Sequence, residues 1–128
     1  MAINSIKILS DSESEIMEIV WCNGQTCVRD VLKELKKKKK IAYTTVMTVM
    51  SRLYEKGVLV RKMNKSGAFV YEPVNDKKTF IEKKSEKIIK GFLKEYGDVA
   101  VAQFLDVIET SSAPKSEEWK NKLKKLIK

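Results

Sequence analysis

The chain contains no histidine, only two cysteines, and no apolar run that approaches the roughly 20 residues of a membrane-spanning helix. Histidine is the commonest general base and metal ligand, so its absence argues against most enzymatic functions. Cys22 and Cys27 are too few, without further ligands, for a disulfide framework or a structural zinc site. We therefore expect reduced thiols, no metal and no cofactor.

Targeting and catalytic patterns are also missing. No basic stretch precedes an apolar run at the N-terminus, so we expect no secretory signal. There is no Gly-rich phosphate loop and no nucleophile paired with histidine, and the acids are scattered among lysines as on solvated helix faces. These absences predict a cytoplasmic protein that is not inserted in a membrane and is not an enzyme.

The positive charge is concentrated in one part of the chain. Residues 36–65 hold ten basic residues and one acid, Glu55, and so carry a charge equal to the whole net charge of +9. Five consecutive lysines, residues 36–40, open this segment. Such a cluster predicts a polyanionic partner for one region of the molecule, although a lysine-rich loop in contact with solvent alone is also common.

The order of patterns is typical of a winged helix-turn-helix. Apolar residues at helical spacing predict a first helix that follows Ser10 or Ser12 and stops near Gly24. A second helix is predicted after a Thr26 cap, and a third runs from about residue 42 to Gly57. Extended runs on either side of a turn-rich tetrapeptide, residues 64–67, then predict a β-hairpin over residues 58–73.

The pattern changes after Pro73. It predicts a long helix that ends at Gly97, a second helix to about residue 109, and a last helix after a break at residues 110–114. The fold class is therefore mainly α with a small β-hairpin. We expect a winged helix-turn-helix DNA-binding domain over residues 1–75 and a helical dimerisation domain over residues 76–128.

Dimerisation is expected because three helices of this size bury little as an isolated unit. Their apolar faces predict packing against a second copy, while packing within one chain stays an alternative for each residue. The residues expected at the dimer interface are Val101, Phe104, Leu105, Ile108, Leu123 and Leu126.

The third predicted helix has two contrasting faces. Its apolar residues lie within about 100° of one another on a helical wheel, and the opposite face is rich in hydroxyls and almost free of acids. A surface helix usually carries mixed Glu and Lys there, and threonine is a mediocre helix former, so propensity does not explain this composition. We predict DNA readout in the major groove, with a neutral helix packed on another protein as the alternative. The predicted contact residues are Tyr43, Thr44, Thr45, Met47, Thr48 and Arg52.

Basic residues of the hairpin supply a second predicted contact. Arg61, Lys62 and Lys65 lie on the strands and the tip, where a basic wing commonly contacts phosphate or the minor groove. The alternative is a solvated turn. The lysines of residues 36–40 are expected to add a salt-dependent term to the affinity.

Two segments resemble a known family. Residues 42–57, AYTTVMTVMSRLYEKG, closely resemble the recognition-helix region of the penicillinase repressors, the BlaI/MecI group. The resemblance covers nearly the whole chain and is strongest in residues 9–73. The residues that resemble the first helix of that family are Leu9, Ser10, Glu15, Ile16, Met17, Val20 and Trp21.

The resemblance implies a homodimeric transcriptional repressor that binds palindromic double-stranded operator DNA. In that family a membrane-bound sensor-protease relieves repression through cleavage in the C-terminal part, commonly between asparagine and phenylalanine. The nearest match here is Gln103-Phe104, in which glutamine replaces the asparagine. The related copper-responsive repressors carry a cysteine-rich C-terminal motif that this chain lacks, which disfavours metal sensing. A non-specific architectural module is the alternative, but it would need no hydroxyl-rich helix face.

Overall fold

Three helices and a β-hairpin succeed one another along the chain, as the sequence predicted, and two further helices follow, the first of which spans two of the three helices predicted after Pro73. The computed structural model describes the backbone of residues 7–127 and the side chains of residues 7–125. The side chain of Leu126, one of the predicted interface residues, lies outside that description. The elements are α1 (Asp11–Asn23), α2 (Val28–Lys36), α3 (Tyr43–Glu55), β1 (Leu59–Met63), β2 (Phe69–Pro73), α4 (Lys77–Thr110) and α5 (Ser116–Ile127).

Helix α1 begins and ends where its capping residues predict. The Ser10 hydroxyl accepts a hydrogen bond from the Glu13 amide at 3.2 Å, and the Ser10 amide donates to the Glu13 carboxylate at 2.9 Å. These two bonds form a capping box, which satisfies amides that the first helical turn leaves unpaired. The helix ends at Gly24, whose φ of 79° is unfavourable for other residues.

The prediction that Thr26 caps α2 is wrong. The N-cap of α2 is Cys27, which makes no side-chain capping bond. The Thr26 backbone instead pairs with that of Tyr71. The Thr26 amide donates to the Tyr71 carbonyl with an N to O distance of 2.9 Å, and the Tyr71 amide donates to the Thr26 carbonyl at 2.7 Å. This bridge holds the start of α2 against β2, a long-range contact that local spacing does not reveal.

The core of the first compact unit is formed by α1, α2, α3, the hairpin and the first turns of α4. Phe80 of α4 is buried and its ring lies 5.5 Å from that of Trp21, whose indole N–H donates to the Asn75 carbonyl at 3.1 Å. The compact unit therefore extends to Glu82, beyond the predicted division at residues 75 and 76. The fully buried side chains are Ile16, Met17, Val20, Val31, Val46, Met50, Leu53, Leu59 and Tyr71.

The second compact unit begins at Lys83 and contains the rest of α4 and the whole of α5. Gly97, with φ 53° and ψ −125°, interrupts α4 at the residue where the sequence predicted a helix end. A break at residues 111–115 then precedes α5. Among the described residues, we find no helix with the length and apolarity needed to cross a membrane.

Candidate nucleic-acid interface

Helix α3 presents the two faces that its sequence predicts. Val46, Met50 and Leu53 are fully buried, and Val49 is nearly so. The six residues predicted to contact DNA all lie on the exposed side, with Tyr43 47% and Met47 42% exposed. Exposed methyl, aromatic and hydroxyl groups on a helix face with a single acid, Glu55, are suited to the edges of bases and to phosphates.

One hydroxyl on this face is already engaged. The Thr48 hydroxyl donates to the Thr44 carbonyl at 2.8 Å, one turn back along α3. Its proton is thus used within the helix, but the side chain is exposed and keeps its oxygen lone pairs and its methyl group for other contacts. Thr48 can therefore accept a hydrogen bond from a base amino group or contact a thymine methyl, but it does not donate to phosphate in this rotamer.

Two grooves run on either side of α3. The first groove lies between α3 and the start of α1, and it combines hydroxyls with the guanidinium of Arg52. The second groove lies between α3, the start of α2 and the hairpin tip. Residues of the first groove are Ser10, Ser12, Thr44, Thr45, Thr48, Val49 and Arg52. The polar and thiol residues that the sequence analysis missed in the second groove are Cys27, Arg29, Ser51, Asn64 and Ser66.

The hairpin tip is ordered by the side chain of Asn64. Its amide oxygen accepts hydrogen bonds from the Ser66 amide at 3.0 Å, the Ser66 hydroxyl at 2.7 Å and the Ala68 amide at 3.0 Å. Gly67 completes the turn with a φ of 86°. Lys65, in the middle of this turn, is exposed. The tip thus presents one cation on a rigid loop.

Of the three basic residues predicted on the wing, the structure leaves Lys62 and Lys65 extended into solvent but not Arg61. Lys62 is exposed and forms no ion pair with the described residues. The half-buried Arg61 places its guanidinium over the rings of Tyr54 and Phe69. Arg61 therefore does not extend into solvent, because it packs between the wing and the last turn of α3.

The lysine run at residues 36–40 is exposed but partly neutralised. Lys37 pairs with Glu34 at 2.6 Å and Lys39 pairs with Glu15 at 2.5 Å. The hydrogen bond from Lys37 is the main cause of a lowered pKa at Glu34. Among the described residues, Lys36, Lys38 and Lys40 form no ion pair, and these three cations are the better placed for a polyanion.

An ion pair between exposed Lys56 and the buried carboxylate of Glu13 fixes the end of α3. Lys56, the C-cap of α3, donates to the Glu13 carboxylate at 2.7 Å, and the Glu13 side chain is only 3% exposed. Burial alone would raise the pKa of Glu13, but the bonds from Lys56 and Ser10 and the charge of Lys56 outweigh it, so that the pKa is lowered. This pair connects α1 to α3 across 43 residues of sequence, so helical periodicity could not predict it.

The second unit carries an apolar groove on its surface. Val101 and Phe104 line it and are 43% and 58% exposed, whereas Leu105, Ile108 and Leu123 are only half-exposed and do not line it. Gln103 also lies along the groove and is exposed. The groove residues absent from the predicted interface are Ile88, Ile89, Phe92, Leu93, Ala100 and Val107.

The first unit combines three packed helices, an antiparallel wing and a third helix whose exposed face is rich in hydroxyls. These features define the class of winged-helix DNA-binding proteins. Within that class, the penicillinase repressor family model matches residues 9–128. The chain therefore belongs to the penicillinase repressor family, whose members are transcriptional repressors and not enzymes.

Individual relatives agree with this assignment. The chain is 33% identical to the penicillinase repressor of Bacillus licheniformis over 99 residues, which cover 77% of this chain and 76% of that protein. It is 27% identical to the methicillin resistance regulatory protein MecI of Staphylococcus aureus strain N315 over 117 residues, or 91% and 94% of the two chains. A solution structure of the DNA-binding domain of the repressor BlaI is 33% identical, covers 56% of this chain and 87% of that one, and superposes with a TM-score of 0.49.

Proposed function

We propose that this chain is a cytoplasmic, homodimeric transcriptional repressor that binds a palindromic operator, with α3 in the major groove and the hairpin as a wing on the backbone. The observation that carries the proposal is the hydroxyl-rich exposed face of α3, which lies between two grooves, has Glu55 as its one acid and stands beside most of the chain's net positive charge. The family assignment supports the same function.

Selection of bound DNA from a random pool tests this proposal. A repressor should enrich one palindrome and prefer it over random DNA by roughly three orders of magnitude or more at physiological salt. Equal affinity for all sequences would favour the alternative, a basic module that binds nucleic acid without specificity. A genomic neighbour that encodes a membrane metalloprotease sensor would support the proposed route of derepression.

Arg52→Ala is expected to weaken operator binding by about tenfold or more, because Arg52 is the cation of the first groove and one good contact to a base or phosphate is worth roughly 1–3 kcal/mol. The measurement is a salt-matched titration of wild type and variant on the selected palindrome. An affinity unchanged by Arg52→Ala would remove Arg52 from the contact set.

Lys65→Ala is expected to weaken binding to operator and random DNA by a similar factor. Lys65 sits on the ordered tip, where it can contact phosphate but reads no base. Loss of one phosphate contact should lower the slope of log affinity against log salt by about 1. A slope equal to that of the wild type would show that the wing tip does not touch the backbone.

Cleavage between Gln103 and Phe104 is the proposed means of inactivation. The bond lies within the apolar groove of the second unit, so cleavage would separate residues that line the same proposed dimer surface. Mass spectrometry of the chain from derepressed cells should detect a fragment that ends at Gln103. An intact chain in such cells would show that this bond is not the switch.

A further inference from the structure

Arg61 links the hairpin to α3 and to the core by three contacts. It lies in the middle of β1, where it is paired in register with Tyr71 of β2. The centre of its guanidinium is 4.0 Å from the ring centroid of Tyr54 in the last turn of α3. The same group is 4.1 Å from the ring centroid of Phe69 in β2. One cation therefore contacts aromatic rings from two elements that are separate in sequence.

The third contact anchors this arrangement in the buried core. The Arg61 Nη1 group donates to the Tyr71 hydroxyl at 3.4 Å. Tyr71 is 1% exposed, and its backbone is bridged to Thr26 before α2. Through Tyr71 the guanidinium is thus connected to a fixed point of the first unit, and not to another mobile surface group.

The buried Leu59 and Tyr71 and the backbone bridge to Thr26 hold the wing on the core, and the Arg61 contacts add to them two residues closer to the tip than Leu59. The hairpin is a two-stranded sheet, and two strands alone are marginally stable in water. A guanidinium over an aromatic ring at less than about 6 Å is attracted to it, and its planar shape suits stacking in a way that a lysine ammonium does not. A guanidinium occupied by two rings and one hydroxyl also has fewer free N–H groups for a phosphate than Lys62 or Lys65.

We propose that Arg61 is a positioning residue that fixes the angle of the wing to α3, so that Lys65 reaches the DNA backbone while α3 occupies the major groove. This inference rests on the proposed DNA-binding function and deepens it, because it names the side chain that sets the angle between the wing and α3. Arg61 acts through Lys65 and does not itself neutralise a phosphate.

Coupling between substitutions tests the proposal on the selected operator. Arg61→Met is expected to weaken binding about tenfold, and Lys65→Ala should then have little further effect, because the tip is already misplaced. Lys62→Met is the matched control on the same strand, and in that background Lys65→Ala should keep its full effect. Effects of Arg61→Met and Lys65→Ala that multiply independently, each lowering the salt slope by about 1, would overturn the proposal.

Two further measurements keep the test decisive. In the free protein, amide hydrogen exchange in residues 60–70 should become at least tenfold faster in Arg61→Met, while the amides of α1 and α2 stay protected. Unchanged exchange in the wing would overturn the proposal.

Arg61→Lys keeps the charge but not the planar stack, so it should bind DNA as weakly as Arg61→Met. Full affinity of Arg61→Lys would contradict the proposal. If the wild type prefers no DNA, the proposed function fails, while the exchange measurement still tests the contact.

Discussion

Phe104→Glu is expected to convert the proposed dimer into a monomer and to lower affinity for a palindromic operator by roughly two orders of magnitude or more. Phe104 is 58% exposed in the single chain and lines the apolar groove of the second unit. A carboxylate there meets solvent in a monomer but would be buried without a partner in a dimer, which is strongly unfavourable. The loss in DNA affinity follows because two half-sites are then bound independently.

Sedimentation equilibrium should give the mass of one chain for this variant and of two chains for the wild type. Val99→Glu is the matched control, because Val99 is 76% exposed on the same part of α4 but does not line the groove. Binding to an isolated half-site should be equal for all three proteins. A Phe104→Glu protein that remains dimeric would place the dimer contacts elsewhere on the chain.

A substitution is a sharper test than removal of the C-terminal region. Truncation after Asp76 deletes Phe80, which is buried in the core of the first unit and packs against Trp21. Loss of DNA binding in that fragment could therefore come from an unstable winged helix and not from the lost dimer. Phe104→Glu leaves the first unit unchanged in sequence.

The elements of the first unit could be predicted because their signals are local. Ser10 and Gly24 mark the ends of α1 through capping and a positive φ, and the tetrapeptide before Ala68 marks the hairpin turn. The buried stripe of α3 was predicted for the same reason, since helical spacing alone selects it. Each of these features is set by residues within a few positions of one another.

The remaining features depend on contacts between distant segments. Thr26 looked like a helix cap, but its backbone pairs with Tyr71, which lies on another element. Arg61 was predicted only as a basic residue of the wing. The fold places it beside Phe69 of the neighbouring strand and Tyr54 of α3. Composition and periodicity give the residue types on a face, whereas the fold decides which neighbours they meet.

The apolar groove of the second unit shows the same limit. Ile89 and Phe92 line the groove, but they are not among the residues predicted to form the dimer interface. Leu105 and Ile108 are among the predicted residues, and they are half-exposed and do not line the groove. A helical wheel identifies an apolar face, but it does not say which part of that face the chain's own helices cover.

Lys56→Met is expected to lower the free energy of unfolding by about 2 kcal/mol at neutral pH. Lys56 donates to the Glu13 carboxylate, which is 3% exposed, so the substitution leaves a buried charge with the Ser10 amide as its remaining partner. The methionine keeps the length of the side chain. The cost stays below that of a fully buried pair because Lys56 itself is 50% exposed.

The pH dependence of this cost distinguishes the ion pair from simple packing. The pKa of Glu13 is lowered in the folded protein, so its pairing stabilises the fold above the ordinary pKa of a glutamate and this contribution is lost as the pH falls through the folded value. The difference between wild type and Lys56→Met should therefore be fully present at pH 7 and shrink steadily below about pH 4. Urea unfolding at several pH values measures it.

Lys62→Met is the matched control, because it removes the same charge from an exposed lysine that has no ion pair among the described residues. Its cost should stay within about 0.5 kcal/mol at every pH, as for an ordinary surface position. A Lys56→Met cost of that same small size, or one that does not change between pH 7 and pH 3, would mean that Glu13 gains nothing from Lys56. The end of α3 would then be held by the buried stripe of Val46, Met50 and Leu53 alone.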